Sequence, residues 1–368
     1  MTSPQERPVL RVTGRVLTGP GPEDVLDEIW AVDGRVSLTP PADTRDAVTV
    51  SGWALPGLID AHCHIGLDGH GAIDAAAAEK QAVTEREAGV LLLRDAGSPS
   101  DTRWIDGRED LPRVIRAGRH IARPRRYIRN YGHEIDPAEL PARVRSEARA
   151  GDGWVKLVGD WIDRERGDLA PCWPAGALRE AIAAAHEEGA RVTAHCFAAE
   201  SLPDLLAAGV DCVEHATGLT AETVPAFAER GVAIVPTLVN IATFPDLAAS
   251  GEGKFPRWAA HMRALHARRY ETVRTAWEAG VPVYPGTDAG GTIPHGLIAR
   301  EIAELVRAGI PAAEVVAAAS WGGRAWLGRP GLTEGAPADL VVYAADPRDD
   351  VRVMAAPRRV VLNGRVVA

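Results

Sequence analysis

Short runs of apolar residues recur along the chain at 58–64, 90–95, 114–118, 154–158, 191–195, 212–215, 232–236 and 283–288. Runs of this length without polar alternation read as strands buried on both faces, as in a parallel sheet. Between most of them the pattern turns helical, over 138–150, 176–188, 222–229 and 258–279. Gly89, Gly189, Gly231 and Gly280 stand where helix hands over to strand, the expected glycine stop. Eight such units over about 270 residues predict the α/β class and a (β/α)8 TIM barrel, with a doubly wound sheet as its competitor.

The ends read differently. Strand-like segments at 9–17, 27–32, 35–38 and 48–55 include a hairpin turning at Asp33-Gly34, and 339–343, 359–362 and 365–367 include one turning at Asn363-Gly364. These segments predict a small β-sandwich domain built from both termini, residues 1–55 and 331–368, around a barrel of residues 56–330.

Composition narrows the function. The chain has 368 residues, 46% hydrophobic and 25% charged, which excludes disorder. The net charge of −9 argues against nucleic-acid and acidic-membrane partners. No apolar run reaches the roughly 18 residues of a membrane span. The N-terminus lacks the pattern of a secretion signal. Four cysteines without a CxxC spacing fit a reducing compartment, so a cytoplasmic location is expected. Only Lys80, Lys156 and Lys254 are lysine among 41 basic residues, a sign of GC-rich coding.

The chemistry gathers where the strands end. His62, His64, Asp95, Lys156, His195, His215 and Asp288 close the predicted strands, the position from which a barrel presents catalytic groups. His62 and His64 share one face of their strand, with Cys63 pointing away. Two imidazoles on one face suit a zinc-like cation.

The run 55–67, LPGLIDAHCHIGL, resembles the first-strand motif of the amidohydrolase superfamily. The likeness continues through VTAHCF, CVEHAT and PGTDAGG to the tail GLTEGAPADLVVYAADP and VLNGRVV. Within that superfamily it is nearest the imidazolonepropionase-related subgroup, which includes Xaa-Pro dipeptidases and carboxypeptidase-like amide hydrolases. The resemblance implies two divalent ions, zinc by preference. His62 and His64 would hold the more buried ion and His195 and His215 the more exposed one. Asp288 would bind the buried ion, and a carboxylated Lys156 would bridge both. It implies attack by a metal-bridging hydroxide on an amide bond of a small carboxylate-bearing substrate, such as a dipeptide or N-acyl amino acid. Asp288 would be the general base and His133 would stabilise the oxyanion. Tyr127, Arg129 and Tyr131 are candidates to hold the substrate carboxylate.

His70 and His295 are candidate pocket residues, as are Trp161 and Trp321. His120, His186, His261 and His266 read as helix or loop histidines, and Cys63 and Cys196 as packing thiols. A serine hydrolase is disfavoured because G-x-S-x-G is absent, and HExxH and phosphate-loop motifs are absent too. A one-metal deaminase would need a glutamate near strand five, for which Glu200 is available. A cyclic-amide or lactone hydrolase would share the same ligands, and a non-catalytic relative is the remaining alternative. The partner expected is a small molecule, and a homo-oligomer is compatible.

Overall fold

The computed structural model describes residues 8–368, so the first seven residues of the predicted terminal domain lie outside the described residues. Strands Leu10–Leu17, Val25–Val32, Arg35–Ser37 and Val48–Pro56 join Leu340–Tyr343, Arg359–Leu362 and Arg365–Val366 in one seven-stranded sheet. Leu340–Tyr343 lies between Val48–Pro56 and Arg359–Leu362, pairing antiparallel with both. The described strands therefore form one sheet zipped edge to edge, and its pairings do not supply the second sheet of the predicted sandwich. Alternate residues such as Val12, Ile29, Ala54, Leu340 and Val361 turn into a single apolar core.

Both predicted hairpin turns form. Asp33 and Gly34 have φ of 51° and 80°, and Asn363 and Gly364 have 51° and 73°, the left-handed pair a two-residue turn needs. The two turns touch: a Cβ on Gly364 would come within 2.8 Å of the Gly34 Cα. Glycine is required there by space as well as by angle.

The middle of the chain forms two arcs of parallel strands. Leu58–Cys63, Val90–Asp95 and Arg113–Arg116 make the first. The second runs His133–Glu134, Ile121–Ala122, Trp154–Val158, Arg191–Cys196, Cys212–His215 and Ala233–Val235. From Trp154 onward the strand order follows the chain order without reversal, which excludes a doubly wound sheet. The ladder is not a continuous ring of eight. The third predicted strand stops before Gly118 and pairing resumes at Ile121, so the arcs meet there through Arg116 and Asp152 rather than through a ladder: Asp152 N donates to Arg116 O at 2.8 Å and Arg116 N to Asp152 Oδ2 at 3.1 Å. At the other seam, segment 282–289 takes the place of the eighth strand. It accepts from Ile234 N at Pro282 O and from Ala61 N at Pro285 O, both 2.9 Å. Pro282 and Pro285 have no N–H to give, so only isolated bridges form.

Helices Ala75–Glu87, Leu140–Ala150, Ala175–Glu187, Leu202–Ala208 and Val224–Arg230 each precede the next strand of an arc. After Ala233–Val235 comes a larger insertion, Leu238–Ile241, Phe244–Gly251 and the long Pro256–Glu278. Among the described residues no helix is long and apolar enough to cross a membrane.

Candidate active site

The predicted strand-end residues converge. His62 Nε2 and His64 Nε2 lie 3.3 Å apart, and each is 3.0 Å from Asp288 Oδ1. His195 Nδ1 faces His215 Nε2 at 2.9 Å. The His62 and His215 rings sit 5.2 Å apart, joining the two pairs. His62, His64 and Asp288 together form a group able to hold a metal ion.

For three of the histidines the nitrogen turned away from this centre is already engaged. His62 Nδ1 donates to Glu214 Oε2 and His64 Nδ1 to Gly97 O, both at 2.6 Å. His215 Nδ1 meets Thr237 Oγ1 at 2.7 Å. The carboxylate and the carbonyl can only accept, so they fix the tautomers of His62 and His64 and leave a lone pair on each inward nitrogen, the arrangement a metal-ligating histidine needs; the Thr237 hydroxyl orients the His215 ring. Burial pushes the His215 ring down to about 3 and holds His195 well below its ordinary value, so both stay neutral. Asp288 is held well below the carboxylate range: burial opposes this, and the neighbouring His62, His64 and His215 rings outweigh it.

Lys156 is fully buried, and its Nζ has no hydrogen-bond partner among the described residues. Burial lowers its pKa and favours the neutral amine, although the carboxylates of Glu214 and Asp288 oppose this. A buried, unpartnered amine beside a cluster of inward nitrogens fits a site completed by cations and an anionic carbamate. The residues present therefore fit the metal group that the sequence implies.

Several carboxylates hold the frame. Asp60 accepts from His62 N at 3.0 Å and from Thr287 N at 3.1 Å, tying the first strand to the segment that carries Asp288. Asp95 accepts from Ile65 N at 3.1 Å and Gly97 N at 2.9 Å, so it braces the backbone beside His64. Asp160 accepts from Phe197 N and Ala198 N, just after His195. Asn240 Nδ2 donates to Asp288 Oδ2 at 2.6 Å.

The sequence misplaces some partners. His133 does not line the cavity above the cluster; its Nε2 pairs with Glu147 Oε1 at 3.0 Å. Arg129 is exposed and also lies outside the cavity lining. Both follow the tight, arginine-rich turn 123–126, closed by Arg126 N to Arg123 O at 3.0 Å with Arg125 at φ 60°. Tyr127 and Tyr131 do line the cavity. Tyr131 Oη donates to Asp68 O at 2.8 Å. Tyr127 packs against Trp161 at 4.8 Å and His195 at 5.7 Å, and burial keeps its hydroxyl protonated.

The histidine overlooked in the sequence is His120. It is fully buried, 5.1 Å from the His64 ring and 5.2 Å from Tyr127, and neither ring nitrogen has a hydrogen-bond partner among the described residues. Nothing in its Ala-Gly-Arg-His-Ile surroundings signals this; only its position after the third strand could have. Trp161 lines the cavity, whereas His70, His295 and Trp321 do not. His295 pairs with the buried Glu85 at 2.8 Å. Glu200 forms a surface pair with Arg166 at 3.0 Å, so it is not placed to serve as a deaminase acid. Cys63 and Cys196 are buried thiols whose pKa burial raises well above the ordinary value, as expected for packing cysteines.

Residues 53–367 match the amidohydrolase family. An uncharacterized protein of Mycobacterium tuberculosis is 56% identical over 345 residues, covering 94% of this chain and 93% of its own. The ochratoxinase of Aspergillus niger is 26% identical over 230 residues, 60% of this chain and 47% of its own. Among solved structures, a putative prolidase from Bifidobacterium longum superposes with a TM-score of 0.82 at 25% identity, covering 98% of this chain and 95% of the other.

Proposed function

The chain belongs to the amidohydrolase family, and from that premise we propose that it is a metal-dependent hydrolase cleaving an amide bond in a small molecule. The observation that carries the reading is the convergence of His62 Nε2, His64 Nε2, His195 Nδ1, His215 Nε2 and Asp288 Oδ1, with the outward nitrogens of His62, His64 and His215 held by other groups. In this reading the first two histidines and Asp288 hold one divalent ion, zinc by preference. His195 and His215 hold a second, and carboxylated Lys156 serves both. Such ions supply Lewis acidity and lower the pKa of water toward about 7. We also read the two arcs and segment 282–289 as one (β/α)8 barrel over 56–330, with the terminal sheet as a second domain.

The chain's own residues do the rest. Asp288 lines the cavity and takes a proton from the attacking water, then returns it to the leaving nitrogen. Asn240, bonded to Asp288 Oδ2, sets the orientation of that carboxylate. Tyr127 offers the substrate a protonated hydroxyl, and Trp161 and Phe197 exclude water from one side. The substrate carboxylate expected from Arg129 is not part of the proposal, because that guanidinium lies outside the cavity.

The test is hydrolysis by zinc-loaded protein of a panel of amides, lactones and aryl phosphotriesters, with chelator controls. Amides are expected to turn over fastest, with activity lost on chelation and restored by zinc. Full activity in a metal-free preparation would sink the metal role, and faster turnover of lactones or phosphotriesters than of every amide would sink the bond assignment. Lys156→Arg keeps the charge but cannot be carboxylated, so it is expected to retain at most one ion tightly by elemental analysis.

A further inference from the structure

Above Asp288 opens a cavity of about 450 Å³. Its walls are strongly apolar. Trp161 and Phe197 come from the strand side, and Phe244, Leu247, Phe255 and Trp258 from the insertion after Ala233–Val235. That insertion is fastened down: Trp258 N donates to Gly167 O at 3.1 Å, and His261 Nδ1 pairs with Asp168 Oδ1 at 2.9 Å.

Among the described residues no arginine or lysine lines the cavity, and Asp288 is its only carboxylate. Two arginines of the neighbouring segments are engaged elsewhere. Arg126 pairs with Asp163 at 2.8 Å and donates to Ala170 O at 2.8 Å, and Arg166 pairs with Glu200. Five large hydrophobic side chains are exposed among the described residues, and two of them, Ile128 at 39% and Leu247 at 43%, line this cavity. An apolar rim around an apolar cavity marks a surface that gains from being covered by apolar matter.

We propose that the substrate is uncharged where it meets these walls and carries a bulky apolar group, aromatic or branched aliphatic, against Phe244, Leu247, Phe255 and Trp258. This rests on the reading of the cavity as the substrate site of an amide hydrolase. A carboxylate entering the wall would lose its hydration, and no lysine or arginine of the described lining would replace it. The cavity therefore selects against the anionic ends of free dipeptides and N-acyl amino acids when they fall on this side of the scissile bond.

Two measurements test this on the full-length chain. The first is binding to metal-free protein, read by calorimetry, of benzylacetone and of hydrocinnamate, which share a skeleton but differ in charge. Benzylacetone is expected to bind at least about tenfold more tightly. Leu247→Arg changes an exposed side chain and places a cation at the mouth; it should narrow or reverse that ratio. Trp258→Ala should weaken benzylacetone by about tenfold. The second is turnover by zinc-loaded protein of N-acetylphenylalanine methylamide against N-acetylphenylalanine and N-acetylglycine methylamide. The uncharged aromatic amide is expected to lead in kcat/KM by about tenfold or more. Equal or tighter binding of hydrocinnamate, or no saturable binding of benzylacetone, overturns the inference. Turnover that favours the free acid also overturns it while leaving the hydrolase reading intact. Binding of benzylacetone without turnover of any amide defeats the hydrolase reading and leaves the ligand class standing.

Discussion

Asp288 and His215 both sit at left-handed backbone angles, φ 59° and 65°, as do Ala216 at 50° and Thr237 at 48°. Non-glycine residues held there cost about 1–3 kcal/mol each and persist only where the surroundings fix them. Here the fixing groups are visible: Asp288 N donates to His62 O at 2.7 Å, and the His215 ring is held by Thr237. Beside them Glu214, fully buried, accepts from Arg94 Nη2 and His62 Nδ1 at 2.6 Å each and from the Thr193 hydroxyl. Burial pushes its carboxyl up, but Arg94 and His62 outweigh that and hold it well below the usual range. Glu214→Gln leaves the Arg94 charge buried without its counter-ion. The expected loss is about 3–5 kcal/mol of stability in urea denaturation. Because the orientation of His62 goes with it, zinc affinity should fall about 10–100-fold in a chelator competition. A variant matching wild type in both would show that Glu214 is dispensable.

Between residue and fold lies the short helix Leu238–Ile241, which follows Thr237 and carries Asn240. It starts on the carboxylate of Glu301, from helix Ile298–Arg307, which accepts from Leu238 N and Val239 N at 2.8 Å each. One buried acid thus anchors the element that positions both His215 and Asp288. Burial pushes Glu301 up to about 8, with the two N–H bonds opposing. The folded chain holds this proton up to about pH 8, whereas the unfolded chain releases it near 4.5. Between those values the folded state binds more protons, so this group's contribution to stability is full below 4.5 and declines as pH rises. Relative to Glu301→Gln, wild-type unfolding free energy should fall by up to about 1.4 kcal/mol per pH unit between about pH 5 and 8. Parallel denaturation curves at every pH would contradict this. The same element shows where sequence reading stops. His62 and His64 were legible because a period of two puts both on one face, and the strand ends because glycines stop the helices before them. Glu301 reaches a turn 63 residues away, and no local period carries that information. His120 lies buried beside His64 and His133 pairs with Glu147 for the same reason: which one turns inward depends on an irregular arginine-rich loop.

At the scale of the whole molecule, the terminal sheet and the first strand of the arcs are one continuous piece of chain. Val48–Pro56 passes through Gly57 into Leu58–Cys63, which carries His62. The C-terminal part grips this junction: Gly57 N donates to Asp339 O at 3.0 Å, Ser320 Oγ to Pro56 O at 2.6 Å and Arg324 Nε to Gly57 O at 2.7 Å. Beyond Asp339, the side chains of Leu340, Val341, Val342, Tyr343, Val360, Val361 and Leu362 are all buried. At about 1.5–3 kcal/mol for each large apolar side chain, they contribute roughly 10 kcal/mol or more. That is comparable to the whole stability of an ordinary domain, about 5–15 kcal/mol. A chain ending at residue 339 keeps every candidate metal ligand and every cavity-lining residue, yet it is expected to lose cooperative unfolding and near-ultraviolet circular dichroism, and with them zinc retention. Supplying residues 340–368 as a separate polypeptide during expression should restore both, because the lost strands add at a sheet edge without crossing the arcs. A shortened chain that unfolds cooperatively at the wild-type urea midpoint and keeps its zinc would show that the ends merely accompany the site.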